Sequence, residues 1–312
     1  MNRWQLRPVP FKFQISDLTL FKISLPLQVR AEKLVNDTAP VAAPVAPAAE
    51  LLPGSEAFVI RAVPLAGPLA SISSNGDYLC YVQQQYEHCF IDLRIGFDTY
   101  QKKFSSKTRS TINRKLKKYA ERCGGAIPWK TYRTPDEIRT FFGLARDLSK
   151  TTYQDRLLGS GLPDTEQYLA SMLALAASDQ VRAYILFDGE RPVSYLFCPV
   201  EEGVLSYSYV GYDPEYMNMS VGTVLQWLAT EQLFAENRFR YFDFTEGQSD
   251  HKRLFATDQR LCGNLIMLKR SLRNSALVRA HALMDRFSRG LGALMEKYGL
   301  KARIKKLLRF AR

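Results

Sequence analysis

The stretch GVLSYSYVGYDPEYMNMSVGTVLQWLATEQLFAENRFRYFDFTEGQSDHKRLF, Gly203–Phe255, decides the fold. Leu205, Tyr207 and Tyr209 alternate with Ser206, Ser208 and Val210, the period of a strand with two different faces. Gly211, Asp213 and Pro214 then break the ladder, because proline has no amide to donate and glycine relaxes the backbone. Ser220 is a good N-cap, with Val221, Gly222 and Thr223 as the first helical turn. From Val224 to Ala235 the residues are apolar nearly all round (Leu225, Trp227, Leu228, Leu233, Phe234), so this helix should be covered on most sides. A strand whose loop opens a helix leaves unpaired amides aimed at one spot, and with the helix dipole they favour a phosphate or pyrophosphate. Gly222 lets a ligand approach that backbone closely. The next strand, Arg240 to Phe244, carries Asp243 near its tail and is followed by Glu246, Gly247, His251 and Lys252. Titratable groups thus gather beside the proposed phosphate site, in the kind of crevice beyond strand ends where α/β folds hold ligands.

Working outward, Val181 to Phe187 and Val193 to Pro199 read as strands joined by a tight Asp188-Gly189 turn, and Glu201-Glu202-Gly203 turns again into the central strand. Thr134-Pro135-Asp136-Glu137 is a capping box opening an amphipathic helix through Ile138, Phe141, Phe142, Ala145 and Leu148. The polar segment Ser149 to Pro163 is a long loop containing Tyr153, Asp155 and Arg156, and Asp164 is expected to start the next helix. A last strand runs from Cys262 to Leu268. Helix, antiparallel meander, buried helix and strand predict an α+β fold, with helices covering a twisted sheet.

Toward the N-terminus, residues 11 to 23 suggest two short strands, and Asn36 to Pro53 is an Ala/Pro-rich linker. Ala57 to Val63, Tyr78 to Val82 and Cys89 to Leu93 read as strands. Asp98 is expected to cap a short helix, and Ser105-Ser106 a longer one from Lys107 to Glu121 that stops at Gly124-Gly125. That helix has a thin apolar stripe of Ile112, Leu116 and Tyr119 against a run of Lys and Arg from Lys102 to Lys118. The run is either a solvated face or a cationic rim for a phosphate-bearing substrate.

Composition narrows the class. With 312 residues, 46% hydrophobic and 24% charged, the chain can bury a large core. No run approaches the roughly 20 apolar residues of a transmembrane helix, and Met1 to Pro10 lacks the apolar core of a secretory signal. Five scattered cysteines and three isolated histidines have no metal-ligand spacing, which predicts buried thiols, a reducing cytoplasm and no metal. The formal charge of +12 is uneven: Lys269 to Arg312 holds 13 Lys/Arg against Asp285 and Glu296, leaving 30 basic and 29 acidic residues elsewhere. The basicity therefore belongs to a C-terminal appendage.

The order of helix, antiparallel meander, Tyr-Asp-Pro loop (Tyr212 to Pro214), Ser-x-Gly-Thr helix start (Ser220 to Thr223), Asp-Phe-x-x-Gly (Asp243 to Gly247) and Lys-x-x-Phe (Lys252 to Phe255) resembles the GNAT superfamily. The branch it is most similar to is the CelD-type acetyltransferase-like proteins, related to Fem-type peptidoglycan transferases. Phe104-Ser105-Ser106-Lys107-Thr108-Arg109 resembles that branch's Ser-Ser-Lys-x-Arg helix start, so the resemblance spans roughly residues 85 to 270. It implies a GNAT-like fold and the use of acyl-CoA, in the form of acetyl-CoA. The pyrophosphate would lie on the amides around Ser220, Val221, Gly222 and Thr223, and the pantetheine arm would bond the main chain of Tyr209, Val210 and Gly211. The loop Asn218 to Gly222 has one glycine where GNAT proteins have two, so an aminoacyl-tRNA donor, as in Fem-type relatives, stays open. His251 stands where relatives often carry Tyr.

Attack on a thioester or ester carbonyl needs a base, a donor to the developing oxyanion and positioning. Asp243 and Glu246 are the base candidates, Lys252 could neutralise a phosphate or the oxyanion, and Tyr212 could protonate the leaving thiolate. Lys107, Arg109, Tyr153 and Asp155 would line the acceptor side. The acceptor expected is a saccharide or lipid-linked cell-envelope precursor. A non-catalytic part in an exopolysaccharide machine is the reading from a different class. The expected organisation is N-terminal strands (1–35), linker (36–54), a part resembling a degenerate GNAT copy (55–130), the GNAT-like domain (131–270) and a basic tail (271–312). The tail reads as amphipathic helices divided near Gly290-Gly292 and Gly299, with its first part packed on the domain. Lys301 to Arg312 is suited to an anionic membrane surface at the inner face of the membrane.

Overall fold

A computed structural model describes residues 4–15, 18–34, 38–151, 161–247 and 249–297. Strands β1 (Gln5–Ile15) and β2 (Leu18–Ala31) are followed by β3 (Ala57–Pro64), β4 (Ile72–Asn75) and the long β5 (Tyr78–Asp92). Helices α1 (Phe97–Lys102) and α2 (Ser106–Arg122), strand β6 (Trp129–Tyr132), and helices α3 (Pro135–Thr151) and α4 (Glu166–Ala177) come next. Strands β7 (Val181–Asp188), β8 (Arg191–Glu201), β9 (Val204–Ser206) and β10 (Tyr209–Tyr212) lead to helix α5 (Val221–Glu236). Strand β11 (Tyr241–Asp243), helix α6 (Asp250–Phe255), strand β12 (Asp258–Lys269) and helix α7 (Leu272–Lys297) follow. By its contacts the chain divides into two units, His88–Gln259 and the flanking segments Met1–Glu87 with Arg260–Arg312.

In the flanking unit, β1 pairs antiparallel with β2, β2 parallel with β3, and β3 antiparallel with β12. The alternation of β3 sorts its side chains: Ala57 and Val59 join Phe11, Leu27, Tyr81, Leu277 and Val278, whereas Phe58 and Ile60 join Val82, Leu265 and Met267. The Ala/Pro segment is held to this unit. The fully buried Gln28 amide donates to Glu50 O (2.9 Å) and accepts from Leu52 N (2.7 Å), satisfying a side chain that would otherwise be costly to bury.

In the unit His88–Gln259 the strand order is β5-β11-β9-β8-β7-β6, antiparallel except for the parallel β11/β9 pair, and β10 pairs with β8. Helices cover both faces, giving the expected mixed α+β layer with a twisted, mostly antiparallel sheet. On one face Val224, Leu225, Trp227, Leu233 and Phe234 of α5 pack with Tyr100, Ile112, Tyr184 and Phe242. On the other, Ile138, Phe141 and Ala145 of α3 and Met172 of α4 meet Ile185, Tyr195 and Phe197. Each buried Leu or Phe of α5 contributes about 1.5–3 kcal/mol, so the helix that opens the candidate site is firmly anchored.

Several local expectations are corrected by tertiary contacts. The alternating stretch at Leu205 is two strands, because Tyr207 N still donates to Asp243 O (2.8 Å) while Ser208 N turns to Phe197 O (3.2 Å). The separate strands at Tyr78 and Cys89 are one, β5. Gly96, at φ 78°, is the N-cap of α1, and Asp98 lies inside its first turn. Thr165 caps α4, its hydroxyl accepting from Tyr168 N at 3.2 Å, so Asp164 stands outside the helix. Helix α7 runs unbroken through Gly290 and Gly292. Ser105 does cap α2, and Thr134 and Glu137 do form the reciprocal capping box.

Candidate active site

The loop before α5 is fixed by charge. Asp213 accepts from Glu215 N (3.0 Å) and pairs with Arg191 (2.5 Å), which also holds Glu215 (2.8 Å). Tyr216 donates to Asp188 (2.7 Å), which Arg122 holds at 2.7 Å from α2. These bonds fix a 3-10 turn, Pro214–Met219, that delivers the chain to α5. Ser220 occupies the N-cap position at φ 55°, but its hydroxyl makes no capping bond, which corrects the sequence expectation. Its carbonyl accepts from Thr223 N (2.8 Å) and Val224 N (3.1 Å). The N–H groups of Val221 and Gly222 have no acceptor among the described residues. Orphan amides at a helix start carry the positive end of the dipole, which favours negative charge beside them.

Two lysines of α2 reach the same place. Lys115 Nζ donates to Thr223 Oγ1 at 3.5 Å, and Lys118 Nζ donates to Asn218 O at 3.4 Å. A Cβ at Gly222 would lie 3.9 Å from Tyr212 Cδ1, which places the end of β10 against the opening of α5. Strand β10 pairs with β8 along one edge, and among the described strands nothing pairs with its other edge. Gly211 O accepts from Ser194 Oγ of β8 (3.1 Å) and Asp213 N donates to Val193 O (2.9 Å), so in the antiparallel alternation it is Val210, between Tyr209 and Gly211, that turns its backbone groups to the open edge. A thioester donor with a pyrophosphate and an amide-containing arm fits these groups: open amides, two ammonium groups and a free strand edge.

At the tail of β11, Asp243 is buried and its Oδ1 accepts from Thr245 N (2.6 Å) and bonds His88 Nε2 (2.5 Å). His88, also buried, projects from β5, the strand antiparallel to β11. Glu246 is exposed in the turn. Ser249 caps α6 by accepting from Lys252 N (3.2 Å), and Lys252 Nζ donates to Glu246 O (2.7 Å). Burial pulls the Lys252 ammonium below its ordinary range, with Asp243, Cys89 and Glu246 opposing that shift. His251 is held below the usual imidazole range, first by burial and then by the positive charges of Lys115 and Lys252. Its Nε2 is buried without a partner among the described residues.

The sequence candidates thus fall into separate groups. Tyr212 and Gly222 meet, as do Asp243, Glu246 and Lys252, and Lys115 lies between the two groups through its contact with Thr223 and its effect on His251. Lys107 and Arg109 are exposed on the first turns of α2. Tyr153 and Asp155 lie outside the described residues. His88 was missed because nothing in the sequence near Cys89 shows which strand β5 will pair with. Lys115 and Lys118 were visible only as members of a basic run. Among the described residues no cluster of His, Cys, Asp or Glu is arranged to hold a metal.

This arrangement is that of an acyltransferase-like domain with a GNAT-like fold, and residues 106–253 match the family model described as acetyltransferase (GNAT) domain. Among solved structures, the chain is similar to L-PGS from Bacillus licheniformis, at 15% identity over 72% of each chain with a TM-score of 0.42. It is similar to the C-terminal domain of a putative lysylphosphatidylglycerol synthetase from Agrobacterium fabrum, at 10% identity over 75% of this chain and 72% of that one, with a TM-score of 0.48. FemX is similar at 10% identity over 86% of this chain and 88% of that one, with a TM-score of 0.47. No curated protein matches the chain in sequence.

Proposed function

We propose that the chain transfers an acyl group, in the simplest case acetyl, from acyl-CoA to an amine or hydroxyl of a saccharide or lipid-linked cell-envelope precursor, in the manner of the CelD-type branch. The observation that carries this is the convergence of the open Val221 and Gly222 amides with Lys115 and Lys118. The coenzyme's pyrophosphate binds there, and its pantetheine arm follows the free edge of Tyr209, Val210 and Gly211. The donor supplies an activated thioester carbonyl. The His88–Asp243 pair takes the acceptor's proton, with Thr245 N–H and the imidazole orienting the carboxylate. Glu246, exposed beside it, holds the acceptor. Lys252 Nζ, fixed on Glu246 O, donates to the oxygen that gains charge. Tyr212 gives the leaving thiolate its proton, and Lys107 and Arg109 line the acceptor side. Calorimetry with coenzyme A, paired with thiol release from acetyl-CoA in the presence of amino sugars, tests the reading. The absence of coenzyme A binding up to millimolar concentration overturns it.

Aminoacyl transfer from tRNA is a second reading, favoured by one observation: Lys107, Arg109, Arg114, Lys117 and Lys118 are all exposed along α2. It requires tRNA binding that falls steeply with salt, and a flat salt response dismisses it. A non-catalytic role in an exopolysaccharide machine requires that alanine at Asp243, Glu246 and Lys252 leave the cellular phenotype intact.

A further inference from the structure

We propose that the outward face of α7 is a docking surface for a bilayer rich in anionic phospholipid. This is independent of the chemistry assigned to the transferase site. Helix α7 has two apolar faces. Leu277 and Val278 are buried with Phe11, Phe13 and Tyr81, and His281 on the same side bonds Tyr81 OH at 2.8 Å. At 100° per residue the opposite side carries Leu272, Ala276, Ala280, Leu283, Phe287 and Leu294. Leu272 is 92% exposed, Leu283 65%, Phe287 59% and Leu294 53%. A second stripe of large apolar side chains, left in water over a helix about 39 Å long, is unexplained by folding.

Charge identifies the occupant. Arg279 and Arg286 flank the stripe, and neither forms an ion pair among the described residues. With Ala70, Ser71 and Ile72 they rim a cavity of about 400 Å³ beside Leu283, where a lipid phosphate meets two guanidinium groups while its chains meet the apolar stripe. The acids of α7 are Asp285 and Glu296, and Asp285 is paired with Arg289 (2.8 Å). The sequence after the helix adds six Lys/Arg and no acid. A second copy docked on this stripe would bring arginine-flanked faces together, whereas an anionic membrane meets them with opposite charge. Among the described residues no helix is long and apolar enough to cross a membrane, so α7 lies in the interfacial plane.

The test is sedimentation of the full chain with vesicles of phosphatidylcholine alone or with about one third phosphatidylglycerol. The expected result is binding to the anionic vesicles at least tenfold tighter than to the neutral ones. Leu283→Glu with Phe287→Glu should lose at least tenfold in affinity, and Arg279→Glu with Arg286→Glu should lose the preference for phosphatidylglycerol. A chain ending at Leu300 should keep the dependence on Leu283 and Phe287. Phe287→Trp, at an exposed position, reads insertion directly as a blue shift with anionic vesicles, so the proposal stays testable if a double variant does not fold. Equal binding to both vesicle types, undiminished binding of the Leu283/Phe287 variant, or no blue shift overturns the proposal. So does a concentration-dependent dimer that the Leu283/Phe287 variant dissolves, because the stripe would then belong to a second copy.

Discussion

Gly222→Ala should move stability and donor affinity in opposite directions. The backbone at Gly222 is not in the left-handed region, and the added Cβ would meet only Tyr212 Cδ1, at 3.9 Å, an ordinary contact. The folded protein therefore accepts the methyl group. Alanine in a helix is favoured over glycine by about 0.5–1 kcal/mol, less at a first turn. For a chain of 312 residues that raises the melting temperature by at most about 1.5 °C. The same methyl group occupies the approach to the Val221 and Gly222 amides. A lost hydrogen bond to a charged oxygen costs about 1.5–3 kcal/mol, which weakens the coenzyme roughly ten- to hundredfold. Differential scanning calorimetry and titration with coenzyme A measure both quantities on one preparation. A raised melting temperature with unchanged coenzyme affinity would falsify the assignment of these amides to the donor.

Lys115→Ala should weaken coenzyme A binding about tenfold and the more exposed Lys118→Ala two- to threefold, with a shallower salt dependence in both; unchanged slopes would remove the lysines from the donor site. Asp243→Asn should lower turnover by about 10² or more and destabilise the fold by about 1–3 kcal/mol, because His88 then faces a neutral amide in place of its buried carboxylate; full activity in a stable variant refutes the role of the pair. His281 is held below the ordinary imidazole range by burial, with Asp285 and the backbone of Lys12 opposing the shift. Its folded pKa lies below the unfolded one, so the unfolded chain binds the extra proton. Stability is then full above about pH 6.5 and falls, by at most about 1.4 kcal/mol per pH unit, as the solution is acidified. His281→Gln should flatten urea midpoints between pH 7 and 5, and an unaltered slope rejects this origin.

Periodicity alone determined the α+β class, the meander of β7, β8 and β9, the buried α5 and the carboxylate at the tail of β11, because each rests on local spacing and caps. The basic run of α2 and the helix start at Gly222 were likewise legible as separate features. Their meeting was not. Lys115 reaches Thr223 across 108 positions, and His88 reaches Asp243 across 155. Strand pairing and helix packing decide such contacts, and no local pattern encodes them. The same holds for Ser220, whose residue type predicts a cap while the preceding turn, tied down through Arg191, delivers it at φ 55°, where its hydroxyl makes no capping bond. The sequence determined which groups the chain possesses; only the tertiary structure decided which of them share a site, because proximity is set by long-range packing and residue type is not.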